Sequence, residues 1–354
     1  MSSRFDTWGR GPALVILALT SFLIVLGILV GGHSKGAGSQ VKYEASDAAL
    51  YEAISDRVQA GEGYYDAAIA EQISRKYPVR PATTVREPTL SYATAIVGGM
   101  GHLRVILLVV GCGAGIAMAW RLEQCSSGRV SWWTATLLTG ISGMVLFKPD
   151  FVVIHEVWAG LFVVLSLTFW SKDRYLPSIL LGLLAVAIRE TAVPYVLLMA
   201  FFAWRGGRKR ELTSWLVAVL VFIGGYAAHL MAVASHTSPK DPYQSGWLNF
   251  GGWPFALETA RLPSALGFGP MWIAAVAVPL AVLGWASKRG DFASRVTALL
   301  VGYLAAFTVV GRPDNWYWGI LYVTFLGSGL AFAPGAVITL VQRVIHRREG
   351  VQAT

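Results

Sequence analysis

The stretch LPSILLGLLAVAIRETAVPYVLLMAFFAW, Leu176 to Trp204, is apolar throughout except for Arg189-Glu190-Thr191 near its middle. As one helix it would run roughly 43 Å, too long for a ~30 Å hydrocarbon core without strong tilt. A single crossing here would also reverse the side of every later loop and put the basic run RGGRKR outside. Two short helices keep RGGRKR inside and place Arg189-Glu190-Thr191 at the outer turn between them. Half-length spans are tolerated where they line a polar cavity rather than lipid. The Arg-Glu pair is therefore expected at the floor of a water-accessible pocket that opens to the outer face.

The rest of the chain fits that reading. Only 14% of its 354 residues are charged, against roughly a quarter in soluble domains, and the mean hydropathy is +0.54. Apolar windows fall near 12–31, 95–119, 131–147, 152–170, 176–188, 191–204, 212–234, 270–286, 295–311 and 317–341, which predicts an all-α polytopic membrane protein of about ten transmembrane helices. The first window is as long as a full span and many follow it, so it is expected to be a span and not a cleaved signal peptide. With residue 1 cytoplasmic, the inner loops hold 16 basic residues, from Arg4 and Arg10 to Arg347 and Arg348, against six acidic ones. The remaining 13 basic and 14 acidic residues nearly cancel. The net charge of +9 is thus a positive-inside signal with both termini cytoplasmic, not a nucleic-acid footprint. Cys112 and Cys125 lie in an apolar run and a basic loop, which suggests no disulfide framework, and no Cys/His spacing suggests zinc.

Two outer loops are sizeable. The first, about 32–94, opens with HSKGAGSQ and continues SDAALYEAISDRVQAGEGYYDAAIAEQISRKYP. Ser46 or Asp47 can cap a helix ending near Gly61, and Gly63 can start a second. Leu50, Ile54 and Val58, then Tyr65, Ile69 and Ile73, make both helices amphipathic, with the expectation that they lie along the membrane surface. VRPATTVREPTLSYA then reads as an extended run leading into the second span. The second loop, about 235–269, is rich in Trp, Pro and Gly, with a short helix expected around Phe255–Leu262. Ionisable groups at membrane depth are costly and point to function. Asp47, Arg86, Glu156, Arg189 and Glu190 all gather on the outer side.

These residues resemble the GT-C superfamily of membrane glycosyltransferases. Asp47 in SDAALYEAI matches the acidic residue that starts an amphipathic helix after the first span, although Ala48 stands where the aminoarabinose and protein O-mannosyl transferases often carry a second acid. Arg86-Glu87-Pro88-Thr89-Leu90, followed by Tyr92, resembles the basic-Pro-Pro-Leu element that ends the first loop, with Glu87 in place of one proline. Glu156 matches an acidic residue opening the fourth span. LLGLLAVAIRETAVPY is similar to a Gly-Leu-rich short span ending in a cation that meets the lipid phosphate. The resemblance covers roughly residues 12–205, a GT-C-like half comprising the first six spans and the long outer loop. Residues 206–354 read only as a further helical bundle.

The resemblance implies transfer of a sugar from a polyprenyl-phosphate carrier to a lipid, glycan or protein acceptor at the outer face of an inner (cytoplasmic) membrane, with inversion. The chemistry then needs a base for the acceptor hydroxyl, for which Asp47 is the candidate. It also needs cations for the leaving phosphate, and Arg86 and Arg189 suit it because guanidinium binds phosphate bidentately. Glu156, Glu190, His155, Tyr64, Tyr65 and the outer-loop tryptophans are candidates for the sugar and acceptor. A divalent metal, Mg or Mn, is left open.

Each residue also has a structural alternative: Arg189-Glu190 as an internal ion pair, Asp47 as a helix cap, Arg86 as a snorkelling anchor, Tyr64 and Tyr65 as interfacial aromatics. Gly98-Gly99 and Gly224-Gly225 read as helix-packing sites. The rival functions are a transporter or flippase for a lipid-linked substrate, and a non-catalytic subunit of an envelope-polysaccharide assembly.

Overall fold

A computed structural model describes residues 3–31, 46–126, 129–144 and 148–345, with the side chains of 129–131 excepted. The HSKGAGSQ run, Arg347 and Arg348 lie outside the described residues, as does the Arg129 side chain. Fourteen α-helices and no β-strand occur among the described residues. Ten of the helices fall in the ten apolar windows. They are α1 (Arg10–Gly31), α5 (Met100–Cys125), α6 (Arg129–Gly143), α7 (His155–Phe169), α8 (Leu176–Ile188), α9 (Val193–Arg205), α10 (Lys209–His236), α12 (Met271–Ser287), α13 (Asp291–Phe307) and α14 (Thr324–Ile345). Three of these (α1, α5 and α10) and the segment Pro313–Ile345 are long and apolar enough to cross a membrane. α1 and α10 leave Val15, Phe22, Leu29, Leu220, Val221 and Met231 exposed, as lipid-facing surface requires.

The stretch from Leu176 to Trp204 is indeed two helices. α8 ends at Ile188, Arg189 is extended (φ −151°), and a 3-10 turn over Glu190–Ala192 leads into α9. The remaining helices are α2 (Asp47–Gln59), α3 (Tyr64–Ser74), α4 (Thr89–Ile96) and α11 (Gly252–Arg261). α11 lies where the second outer loop was expected to carry a short helix. Ser46 caps α2, its hydroxyl accepting from the Ala49 N–H at 3.3 Å, and Gly63 precedes α3.

Three expectations need correction. α2 and most of α3 turn their apolar faces to the protein and not to a membrane surface: Leu50, Ile54, Val58 and Ile69 are buried together with Val79, Val85 and Val233, Tyr65 is partly buried, and Ile73 at the end of α3 stays exposed. The segment before the second span is not simply extended, since it contains α4. Gly98 and Gly99 lie between helices and not within one, although a Cβ added at Gly99 would meet the Gln59 side chain of α2 at 2.9 Å. They separate α4 from α5 with φ of +85° and +107°, the left-handed region that glycine enters at little cost. At Gly224 and Gly225 an added Cβ would meet nothing within 4 Å, so these two mark no close helix approach.

The chain divides into two interleaved units, residues 1–36, 118–145 and 249–354 in one and residues 37–117 and 146–248 in the other. α10 belongs with α2–α4 and α7–α9 in the second unit. In the first unit α12 packs against α14, with α1 and α6 alongside. Trp285 is fully buried there and its indole N–H donates to the Phe325 carbonyl at 2.8 Å. In the second unit α7 packs on α8, and α8 and α9 both pack on α10. Trp170 at the end of α7 donates to Glu211 of α10 at 2.8 Å.

Candidate functional site

The second unit gathers Asp47, Tyr64, Tyr65, Arg86, His155, Glu156, Arg189 and Glu190. Asp47 opens α2. It is not the cap, a role taken by Ser46; its Oδ1 accepts a hydrogen bond from the Tyr77 hydroxyl at 2.9 Å. One helical turn on, Tyr51 shares its face. The Arg86 guanidinium lies over the Tyr51 ring at 5.8 Å from the centroid, and the His155 ring meets it edge-on at 5.0 Å. Burial raises the Tyr51 hydroxyl above its ordinary pKa, Arg86 and Arg189 opposing and Asp47 and Glu156 reinforcing the shift. Tyr51 therefore stands within electrostatic reach of Asp47, Arg86, Glu156 and Arg189 together.

Arg189 is 1% exposed. Its Nε donates to Glu156 and its Nη1 to Glu190. The Glu156 side chain is also 1% exposed, whereas that of Glu190 is 25% exposed. Glu156 comes from the first turn of α7, which the Trp158 indole fixes by donating to the Val152 carbonyl at 2.7 Å. An N-terminal helical turn also favours a carboxylate through the helix dipole. His155, 2% exposed, finds no partner at hydrogen-bonding geometry for either ring nitrogen among the described residues.

The aromatic candidates do not act alike. The Tyr64 hydroxyl donates to the Arg86 carbonyl at 2.7 Å, so Tyr64 fixes the backbone that carries Arg86. Tyr65 lies against His229 of α10, hydroxyl to Nδ1 at 3.3 Å, and the His229 Nε2 faces the Val85 carbonyl at 3.1 Å. Of the outer-loop tryptophans, Trp253 belongs to the first unit, where it donates to the Leu23 carbonyl at 3.0 Å.

Glu87 emerges as a member of the cluster for which sequence offered only a replaced proline. It is 5% exposed, and neither carboxyl oxygen has a partner at hydrogen-bonding geometry among the described residues. Burial pushes it well above the usual carboxylate range, and the charge on nearby Glu190 adds to the shift against the pull of Arg189. Tyr51 was missed as well; its spacing of four residues from Asp47 puts the two on one helix face but does not say what meets the ring.

No family model matches this chain, and no curated protein or solved structure does. What the site can do is therefore argued from its chemistry. Two guanidinium groups and four carboxyl groups, Asp47, Glu87, Glu156 and Glu190, stand together, with Asp47 only partly buried. Among the described residues no group of three His, Cys, Asp or Glu side chains is arranged to hold a metal ion. The set suits a substrate that brings a negative charge and hydroxyl groups.

Proposed function

We propose that the chain is a GT-C-like glycosyltransferase that moves a hexosyl or pentosyl group from a polyprenyl-phosphate carrier to a lipid, glycan or protein acceptor on the outer face of a cytoplasmic membrane. The observation that carries this reading is the convergence on Tyr51: a carboxylate at the start of α2, two guanidinium groups from Arg86 and Arg189, and the His155-Glu156 turn. In this reading the acceptor hydroxyl attacks the anomeric carbon and gives its proton to Asp47. The bond from that carbon to the phosphate oxygen breaks, and its electron pair goes to the phosphate. Arg86 and Arg189 hold the charge that develops there. Tyr77 orients the Asp47 carboxylate, Tyr64 sets the Arg86 backbone, and Glu156 fixes the Arg189 guanidinium.

The test uses the purified chain in lipid nanodiscs with a panel of polyprenyl-phosphate sugars. Asp47→Asn should lower transfer by about 10²-fold or more, the usual contribution of a general base, and leave donor affinity in place. Arg86→Ala should weaken donor binding by about tenfold or more, the loss of one charge-assisted contact. A variant lacking the Asp47 carboxylate that turns over like the wild type would refute Asp47 as the base, and a wild-type chain that transfers no sugar from any donor of the panel would favour a non-catalytic subunit.

A further inference from the structure

The first unit holds a cavity of about 270 Å³ bounded by Ser3, Asp6, Cys125, Lys288, Arg289 and Phe332. It forms where a short 3-10 turn over Arg4–Thr7 meets the end of α12. Two bonds fasten the turn there: the Ser3 hydroxyl donates to the Ser287 carbonyl at 3.3 Å, and Arg289 Nε donates to the Ser3 carbonyl at 3.2 Å. Phe5 packs beside it with Leu283, Ala336 and Leu340.

The cavity has more cations than anions. The Lys288 ammonium rests 4.2 Å from the centre of the Phe332 ring, and burial lowers its pKa. Lys288 and Arg121 both flank the Cys125 thiol. Arg4, which donates to the Ser294 hydroxyl at 2.7 Å, feels the like charge of Arg289. No carboxylate forms an ion pair with Arg4, Lys288 or Arg289 among the described residues; Asp6 is the acid on the wall. A cation at the end of α12 complements the helix dipole, which accounts for Lys288 alone. The positive-inside pattern requires basic loops, but it does not require like charges to crowd around one half-buried hollow. Such crowding, with Asp6 as the acid on the wall and no ion pair to it among the described residues, is costly, and a bound anion would offset it.

We propose that this cavity is an anion site that takes a phosphate monoester through Lys288 and Arg289, with Arg4 reinforcing the potential. Its volume falls below the roughly 300–1,000 Å³ of drug-sized ligand sites, which favours a phosphate group over a nucleotide. Arg289 is exposed, so the cavity can be entered. Thr339 of α14 lines it, and the exposed apolar residues Ile338 and Ile345 continue along the same helix. A lipid chain could follow that face, so the phosphate can come from a lipid headgroup or from free phosphate.

The experiment is native mass spectrometry of the full-length chain after exposure to vesicles of phosphatidylcholine with and without phosphatidic acid, with inorganic phosphate as competitor. The wild type should retain phosphatidic acid over phosphatidylcholine. K288Q/R289Q should bind it at least about tenfold more weakly, and K288R/R289K should keep it, which separates lost charge from lost folding. K172Q/R174Q removes the same charge from another basic loop and should leave retention unchanged. Asp6→Asn should strengthen retention. Displacement by inorganic phosphate assigns the phosphate group itself as the ligand, and pocket-dependent retention without displacement assigns the lipid. Equal losses in both glutamine pairs, or none in K288Q/R289Q, would overturn the proposal.

Discussion

Glu87 is a carboxyl placed where its charge is discouraged, and the consequence can be read in stability. Its pKa is raised in the folded chain by burial and by the charge on Glu190, while the unfolded chain has the ordinary value. A carboxyl of this kind contributes stability that is fully present below the ordinary pKa and is lost as pH rises through the folded one. The slope cannot exceed about 1.4 kcal/mol per pH unit between those values. The thermal midpoint of the purified chain should therefore fall as pH rises above the ordinary carboxylate range, and Glu87→Gln should flatten that fall. Parallel profiles for the two proteins would mean that Glu87 is ionised or exposed in the folded state. Arg189, whose charge acts on Glu87, obeys the opposite logic. It is buried and keeps its charge because two carboxylates meet it. Removing one member of such a pair leaves the other uncompensated, so the cluster tolerates little change at this point.

At the scale of elements, α12 and α14 touch backbone to backbone. A Cβ added at Gly284 would sit 1.9 Å from the Gly329 carbonyl oxygen and 2.9 Å from the Ala333 nitrogen. Neither is the end of a flexible side chain, so Gly284→Ala must push the helices apart, at a cost of about 1–3 kcal/mol or more. Gly302→Ala in α13, where an added Cβ meets nothing within 4 Å, should stabilise by up to about 1 kcal/mol through helix propensity. Thermal midpoints moving in opposite directions would establish the contact; a neutral Gly284→Ala would refute it.

The helices themselves were legible because each apolar run is long and its ends carry Gly, Pro or charge. Ser46 and Gly63 marked α2 and α3 by ordinary capping chemistry. α4 was hidden because its residues run apolar into α5, and only the positive φ of Gly98 and Gly99 separates the two. The direction of the α2 and α3 apolar faces was not legible. An amphipathic stripe looks the same whether a bilayer or Val79, Val85 and Val233 cover it. The candidate residues of Asp47, Arg86, Glu156 and Arg189 could be listed from charge at membrane depth. Their common neighbour Tyr51 could not, because an aromatic in an amphipathic helix carries no signal of what stacks on it until the folded chain brings Arg86 and His155 to its ring.

At the scale of the whole chain, the charge distribution and the break at Arg189 together fix a threading that labelling can test. α10 has 28 residues and is apolar enough to cross alone, so the segments before and after it should lie on opposite sides. α8 and α9 have 13 residues each, roughly 20 Å apiece, and neither matches a ~30 Å core. If they enter and return as a pair, the segments before α8 and after α9 share a side; if they cross once in series, those segments are on opposite sides. Single cysteines at Lys172, Arg205 and Lys240, introduced after Cys112 and Cys125 are replaced by serine, distinguish the two. All three positions are exposed. A membrane-impermeant thiol reagent applied from outside should label K240C alone, and R205C and K172C should react only after the membrane is opened. Labelling of R205C from outside with K172C protected would show one continuous crossing. The basic run 205–210 would then lie outside, and the Arg189 cluster could no longer face a substrate arriving from the outer leaflet.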